Sequence, residues 1–85
     1  MGQIQTFLLE IIRPRSVEQI AVQYVTVQGL DSNFTVGPGH TPLIAVLHKQ
    51  GLLTYFTKDG EKKKIEVSGG IFLVKSGNAV CIFSD

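Results

Sequence analysis

The sequence predicts an all-β domain, a two-layer sandwich or barrel of about eight or nine short strands. Three observations carry this prediction. Apolar residues recur with period two or in short unbroken runs, and no stretch keeps the i, i+3, i+4, i+7 spacing of an amphipathic helix for three turns. Gly, Pro, Asn, Asp and Ser interrupt those runs at intervals of roughly 8 to 12 residues. The chain has 85 residues, 44% apolar and 18% charged, which suits one folded domain over 1–85 and not a disordered segment. A domain of this size buries only about 60% of the surface its unfolded chain exposes, so a partner is a natural source of further burial.

The first strand candidate covers residues 4–12 and is stopped by Pro14, which cannot donate to a ladder and holds Arg13 extended. Val17, Ile20 and Val22 suggest a short, irregular second strand. Alternation from Val22 to Gly29 gives a third, closed by the turn composition Asp31-Ser32-Asn33. A very short strand at 34–36 leads into Gly37-Pro38-Gly39-His40-Thr41-Pro42, whose two prolines and two glycines within six residues dictate an ordered, irregular loop. The β pattern resumes over 43–47. Strands at 52–57 and 64–67 flank Lys58-Asp59-Gly60-Glu61, where Asp-Gly is a hairpin signal because both central positions tolerate positive φ. Gly69-Gly70 breaks the chain before 71–74, and Ser76-Gly77-Asn78 turns it into 79–83. These last two strands are apolar on both faces and are expected at the centre of a sandwich. Leu8, Ile11, Val25, Val27, Leu43, Leu52, Ile71, Leu73, Val80 and Ile82 are the expected core.

The chemistry-bearing residues are sparse. Eight Lys and Arg against seven Asp and Glu give +1, without the basic bias that phosphate-backbone binding needs, so nucleic acid is not an expected partner. Cys81, the single cysteine, lies in the apolar run Ala79-Val80-Cys81-Ile82-Phe83 and reads as a small buried hydrophobe. No window approaches the roughly 18 to 20 apolar residues of a membrane span, so no membrane insertion is expected. His40 and His48 have no cysteine or paired carboxylate at ligand spacing, and no metal site is expected. Gly37-Pro38-Gly39 lacks the Gly-Lys-Ser/Thr of a phosphate loop, so no nucleotide and no cofactor are expected. Lys58, Lys62, Lys63 and Lys64 interleave with Asp59, Glu61 and Glu66 around a hairpin tip and read as a solvated surface. Gly69 and Gly70 read as a bulge or strand crossing where a side chain would strike a neighbouring backbone. No acid, base and nucleophile set is present, and an enzyme is not expected.

Phe34-Thr35-Val36-Gly37-Pro38-Gly39-His40-Thr41-Pro42-Leu43-Ile44 resembles the Pro-Gly-His-x-Pro-Leu motif of the ε subunits of bacterial F-type ATP synthases, called δ in mitochondria. Val67-Ser68-Gly69-Gly70-Ile71-Phe72-Leu73-Val74 and Gly77-Asn78-Ala79-Val80-Cys81-Ile82-Phe83-Ser84-Asp85 are similar to that family's Ser-Gly-Gly strand and closing Gly-Asn-x-Val strand. Leu9-Glu10-Ile11-Ile12-Arg13-Pro14 resembles its opening strand. The resemblance covers the whole chain. Thr35 and Gly37 depart from it, standing where the family commonly has Gly and a bulky side chain.

The resemblance implies a flattened β-sandwich of about eight to ten short strands, placed at the foot of a central stalk. It implies a non-catalytic rotor subunit that couples ion-driven c-ring rotation to the γ subunit and so to ATP synthesis. One face would pack on γ, and loops at one end would touch the c-ring. By this likeness Asn33, Pro38, Gly39 and His40 are ring-facing, Pro42, Ser68, Gly69 and Gly70 are structural motif positions, and the site is peripheral, on the cytoplasmic side of a bacterial inner membrane. The helical hairpin that follows the sandwich in longer members would begin where Asp85 stands, so neither ATP binding nor an inhibitory switch is expected. A free-standing sandwich that binds a peptide or protein partner at an exposed edge is the competing reading.

Overall fold

The computed structural model describes residues 5–30 and 32–83. It contains eight strands: β1 (Phe7–Arg13), β2 (Ser16–Gln28), β3 (Asn33–Val36), β4 (Leu43–Val46), β5 (Gly51–Thr57), β6 (Lys62–Val67), β7 (Gly70–Lys75) and β8 (Asn78–Phe83). Ile4, Asp31, Ser84 and Asp85, which the sequence reading drew into strands, turns or motifs, lie outside the described residues.

The strands form one curled sheet in the order β4-β7-β8-β1-β2-β5-β6, with β3 on the remaining side of β2. What the sequence reads as separate second and third strands is the single 13-residue β2. Its first part pairs with β1 from Ser16 to Val22, and its second part pairs with β5 from Val22 to Val27. An irregularity between Val22 and Tyr24 separates the two. The extra residue there reverses the inward phase, because Val22 is buried on one side of it and Val25 and Val27 on the other. One strand therefore serves two layers: β4, β7, β8, β1 and the start of β2 in the first, and β3, the end of β2, β5 and β6 in the second. The layers meet across the core, where the Phe34 ring of β3 stands edge-on to the Phe72 ring of β7 at 5.9 Å. A bridge between Gly29 and Leu47 ties the end of β2 to the end of β4.

The core phase differs from expectation. Ile11, Val25 and Val27 are buried as predicted, but Leu8, Leu52, Ile71 and Ile82 are exposed, and Leu43, Leu73 and Val80 are half-buried. Their neighbours point inward instead: Phe7 and Leu9 in β1, Leu53 and Tyr55 in β5, Phe72 and Val74 in β7, and Ala79, Cys81 and Phe83 in β8. Both phases of these strands are apolar, so alternation alone carries no information about which one is inside.

Turn chemistry explains the connections. Lys75 pairs with Asn78 across Ser76 (φ 53°) and Gly77 (φ 82°), the two positive φ values that a two-residue hairpin needs. At the Asp59-Gly60 tip only Gly60 has positive φ; the Gly60 N–H donates to the Thr57 carbonyl at 3.0 Å and the Thr57 N–H to the Glu61 carbonyl at 2.8 Å. This is a type I turn closed by a left-handed glycine, rather than the mirror-image turn expected from Asp-Gly. Gly70 (φ 139°) bears out the crossing read from the paired glycines, because a Cβ there would come within 2.3 Å of the Ile82 carbonyl oxygen. The outer edge of β6 carries Lys62, Lys63 and Lys64, and Lys63 pairs with Glu61 at 3.3 Å. Charges along an open strand edge discourage pairing with other sheets, which gives the lysine cluster a structural role.

Candidate functional site

Two features could meet partners: the Pro-Gly-His loop with Asn33, and an apolar outer face. The loop is built around a turn in which the His40 N–H donates to the Gly37 carbonyl at 3.3 Å. Pro38 fixes one central position, and Gly39 (φ 75°) supplies the positive φ required at the next. His40 Nδ1 lies 2.7 Å from the Thr41 carbonyl oxygen. A carbonyl only accepts, so Nδ1 carries the proton and the half-exposed ring is aimed by its own backbone. Pro42 follows, and with Leu43, Ile44, Leu73, Val74 and Lys75 it lines an open hollow of about 550 Å³.

Asn33 sits elsewhere. It opens β3 opposite Gln28, whereas Pro38, Gly39 and His40 lie beyond the other end of that strand. The four-residue β3 separates them by about 10 Å along the chain direction. They do not converge on one pocket; they flank a strand that pairs only with β2 among the described residues. Thr35, one of the departures noted above, bonds its hydroxyl to that of Thr26 at 3.2 Å across the β2–β3 pair. Ser68, Gly69 and Gly70 form the passage from β6 into β7; Leu47 donates its N–H to the Gly70 carbonyl at 2.9 Å and is itself bridged to Gly29, near the start of β3.

The apolar outer face was not assigned from the sequence. Register places Val17 of β2, Ile12 of β1, Ile82 of β8, Ile71 of β7 and Val46 of β4 in one row across five strands. A second row holds Val80, Leu73 and Ile44 beside Glu10. Val17, Ile44, Val46, Ile71 and Ile82 are exposed, from 39% at Ile82 to 78% at Ile44, with half-buried Ile12, Leu73 and Val80 between them, so this is a continuous patch of branched aliphatic side chains facing outward. The signal was present in the sequence as strands apolar on both faces. Burial at the centre of a sandwich explains one of those faces, and the other is this patch. Cys81, on the opposite side of β8, is buried, and burial pushes its thiol up to about 12 from an ordinary 9.0. It is a core residue and no nucleophile.

The family model for the ATP synthase delta/epsilon chain β-sandwich domain matches residues 6–85. The chain belongs to this family. Among curated relatives, the ATP synthase epsilon chain of Corynebacterium jeikeium is 35% identical over 85 residues, 100% of this chain and 67% of that one. Its counterpart in Syntrophomonas wolfei is 33% identical over 70 residues, 81% of this chain and 50% of that one. The Chlorobium limicola epsilon chain is 30% identical over 82 residues, 95% of this chain and 92% of that one. The chain thus spans about half to two thirds of the first two relatives. A chain of the Euglena gracilis mitochondrial ATP synthase (OSCP/F1/c-ring) superposes with TM-score 0.86 at 22% identity, over 99% of this chain and 54% of that one. One from the Tetrahymena thermophila mitochondrial ATP synthase central stalk and c-ring gives 0.79 at 13%, over 99% and 67%. At those identities the two structures show the fold, which for this delta/epsilon-family domain is the flattened β-sandwich expected from the sequence.

Proposed function

We propose that this delta/epsilon-family domain is a non-catalytic subunit of the central stalk of an F-type ATP synthase, coupling ion-driven rotation of the c-ring to γ and hence to ATP synthesis. The observation that carries the reading is the outward apolar row Val17, Ile12, Ile82, Ile71 and Val46, which suits a permanent partner better than water. In this reading γ covers that face, and Pro42, Ile44 and Leu73 extend the contact toward the Pro-Gly-His loop. Asn33, Pro38, Gly39 and His40 meet the polar loops of the c-ring, which touch both flanks of β3 along its open edge. Neutral Asn33 makes its contact by hydrogen bonds, with weak salt dependence. The domain sits peripherally, on the cytoplasmic side of a bacterial inner membrane; among the described residues no helix is long and apolar enough to cross one.

Co-expression with the cognate γ subunit tests the reading. The two chains should co-elute in size-exclusion chromatography, and Ile71→Asp with Ile82→Asp should abolish co-elution while leaving the circular dichroism and urea midpoint of the free domain nearly unchanged. A domain that is monomeric and indifferent to γ would refute the assignment. For the ring contact, Asn33→Cys should cross-link to ring loops in the assembled complex, and Asp59→Cys at the hairpin tip should not; the opposite pattern would invert the orientation.

A further inference from the structure

A cleft of about 840 Å³ opens away from the apolar face, where the end of β1, the turn before β5 and the end of β6 come together. Arg13, Gln28, Lys49, Gln50 and Glu66 give it a polar lining, and Leu52 an apolar wall. Its size is that of a small-molecule site. Two cations against one carboxylate leave a net charge of +1, and hydrogen-bond donors outnumber acceptors.

Each principal donor is held by a separate constraint. The Arg13 guanidinium lies over the Phe83 ring, 4.9 Å from its centroid, a cation–π contact that fixes its plane. The Gln28 side-chain oxygen accepts the Leu52 N–H at 2.6 Å, so the amide NH₂, with its two donors, is the end left for a ligand. Glycine at 51 leaves this amide its room, because a Cβ there would press to 3.1 Å on that same oxygen. Lys49 runs its stem past Gly69, with Cγ 4.0 Å from where a Cβ of that residue would stand. Among the described residues the one ion pair is Lys63 with Glu61, so neither Arg13 nor Lys49 forms a salt bridge with a described carboxylate, and Glu66 shares the cleft without pairing with either. With the Phe83 face covered by Arg13, the described lining residues present no ring for a nucleobase to stack on.

We infer that this cleft binds a small multivalent oxyanion, with Arg13 and Lys49 sharing its charge and Gln28 donating a hydrogen bond. A single negative charge would be offset by Glu66, whereas two or more engage both cations at once. The inference does not rest on the central-stalk reading, and its test uses the isolated chain.

The experiment is a ¹H–¹⁵N titration at constant ionic strength with pyrophosphate and, separately, citrate, with adenosine as the uncharged control. Saturable shifts are expected at the Gly51, Leu52 and Ser68 amides with both anions, and none with adenosine. A response to pyrophosphate alone narrows the ligand to phosphorus oxyanions, and one to citrate alone narrows it to carboxylates. Lys49→Ala should raise the dissociation constant about three- to five-fold, the worth of an exposed ion pair, and Glu66→Gln should lower it by a similar factor. Lys62→Ala, at the other end of β6, should change nothing. Absence of a saturable shift by about 10 mM anion, or equal weakening by Lys62→Ala and Lys49→Ala, would overturn the assignment.

Discussion

Replacing Phe72 by alanine, beside a parallel replacement of its neighbour Leu73, tests which face of β7 is the core. The Phe72 side chain is fully buried and stands edge-on to Phe34 at 5.9 Å, whereas Leu73 is half-buried on the outer face. Removing a buried Phe side chain costs roughly 3 to 5 kcal/mol through lost transfer energy and the cavity left behind. Truncating the outward Leu73 should cost about 1 kcal/mol or less, below the 2 to 5 kcal/mol that a core leucine would imply. A domain of this length has a total stability of roughly 4 to 13 kcal/mol, so the first change is a large fraction of it and the second is not. Urea denaturation followed by circular dichroism reads the difference. With a slope of about 1 kcal/mol per molar, the midpoint should fall by roughly 3 to 5 M for Phe72→Ala and by 1 M or less for Leu73→Ala. Should Phe72→Ala fail to fold, Phe72→Leu gives a milder version, with a loss of about 1.5 kcal/mol. A midpoint lowered more by Leu73→Ala than by Phe72→Leu would show that the inward phase of β7 is the opposite one.

Three further outcomes follow from single residues. Gly70→Ala, which sets a Cβ against the Ile82 carbonyl at positive φ, should destabilise by about 3 kcal/mol or more in the same urea assay, and an unchanged midpoint would refute the crossing geometry. Cys81 should resist iodoacetamide at pH 8 in the folded protein and react at the free-thiol rate in 8 M urea. Because its folded thiol titrates near 12 and its unfolded thiol near 9.0, its contribution to stability is complete below pH 9 and is lost as pH climbs toward 12. A Cys81→Ala variant should therefore show a shallower alkaline loss of midpoint than the parent.

The sequence punctuates this fold well and orients it poorly. Pro14, the Ser76-Gly77 pair, Gly60 and the 69–70 glycines mark real turns, because each acts through the local backbone and needs no tertiary information. The phase of β1, β5, β7 and β8 was out of reach, since Phe7-Leu8-Leu9, Leu52-Leu53 and the run 71–74 offer apolar side chains to both sides. What selects the inner phase is shape: Phe72 meets Phe34, and small Ala79 and Cys81 leave the room that ring needs. The continuity of β2 escaped for a related reason. Its bulge near Gln23 breaks the alternation, and a broken alternation looks like a strand end when the partner strands are unknown. For the candidate site, the loop turn was legible from Pro38-Gly39, but the joining of five strands into one apolar row is a property of register, which no segment carries alone.

The parallel pairing of β1 with β8 sets a constraint on how the protein comes into being. Leu9 lies beside Ala79 and Ile12 beside Ile82, and Asn78 accepts the Leu8 N–H from 70 residues away in the chain. A ribosome must have released every residue through β8 before β1 can find one of its two neighbours. Until then β1 has only β2 to lean on, and β7 ends in an unpaired edge rich in Ile, Phe, Leu and Val. Such seams close late and slowly, because the loop entropy must be overcome before any contact rewards it. The nascent domain is thus most vulnerable to misassociation until β8 has emerged, and its safety in the cell depends on how quickly one six-residue strand slots between two waiting edges.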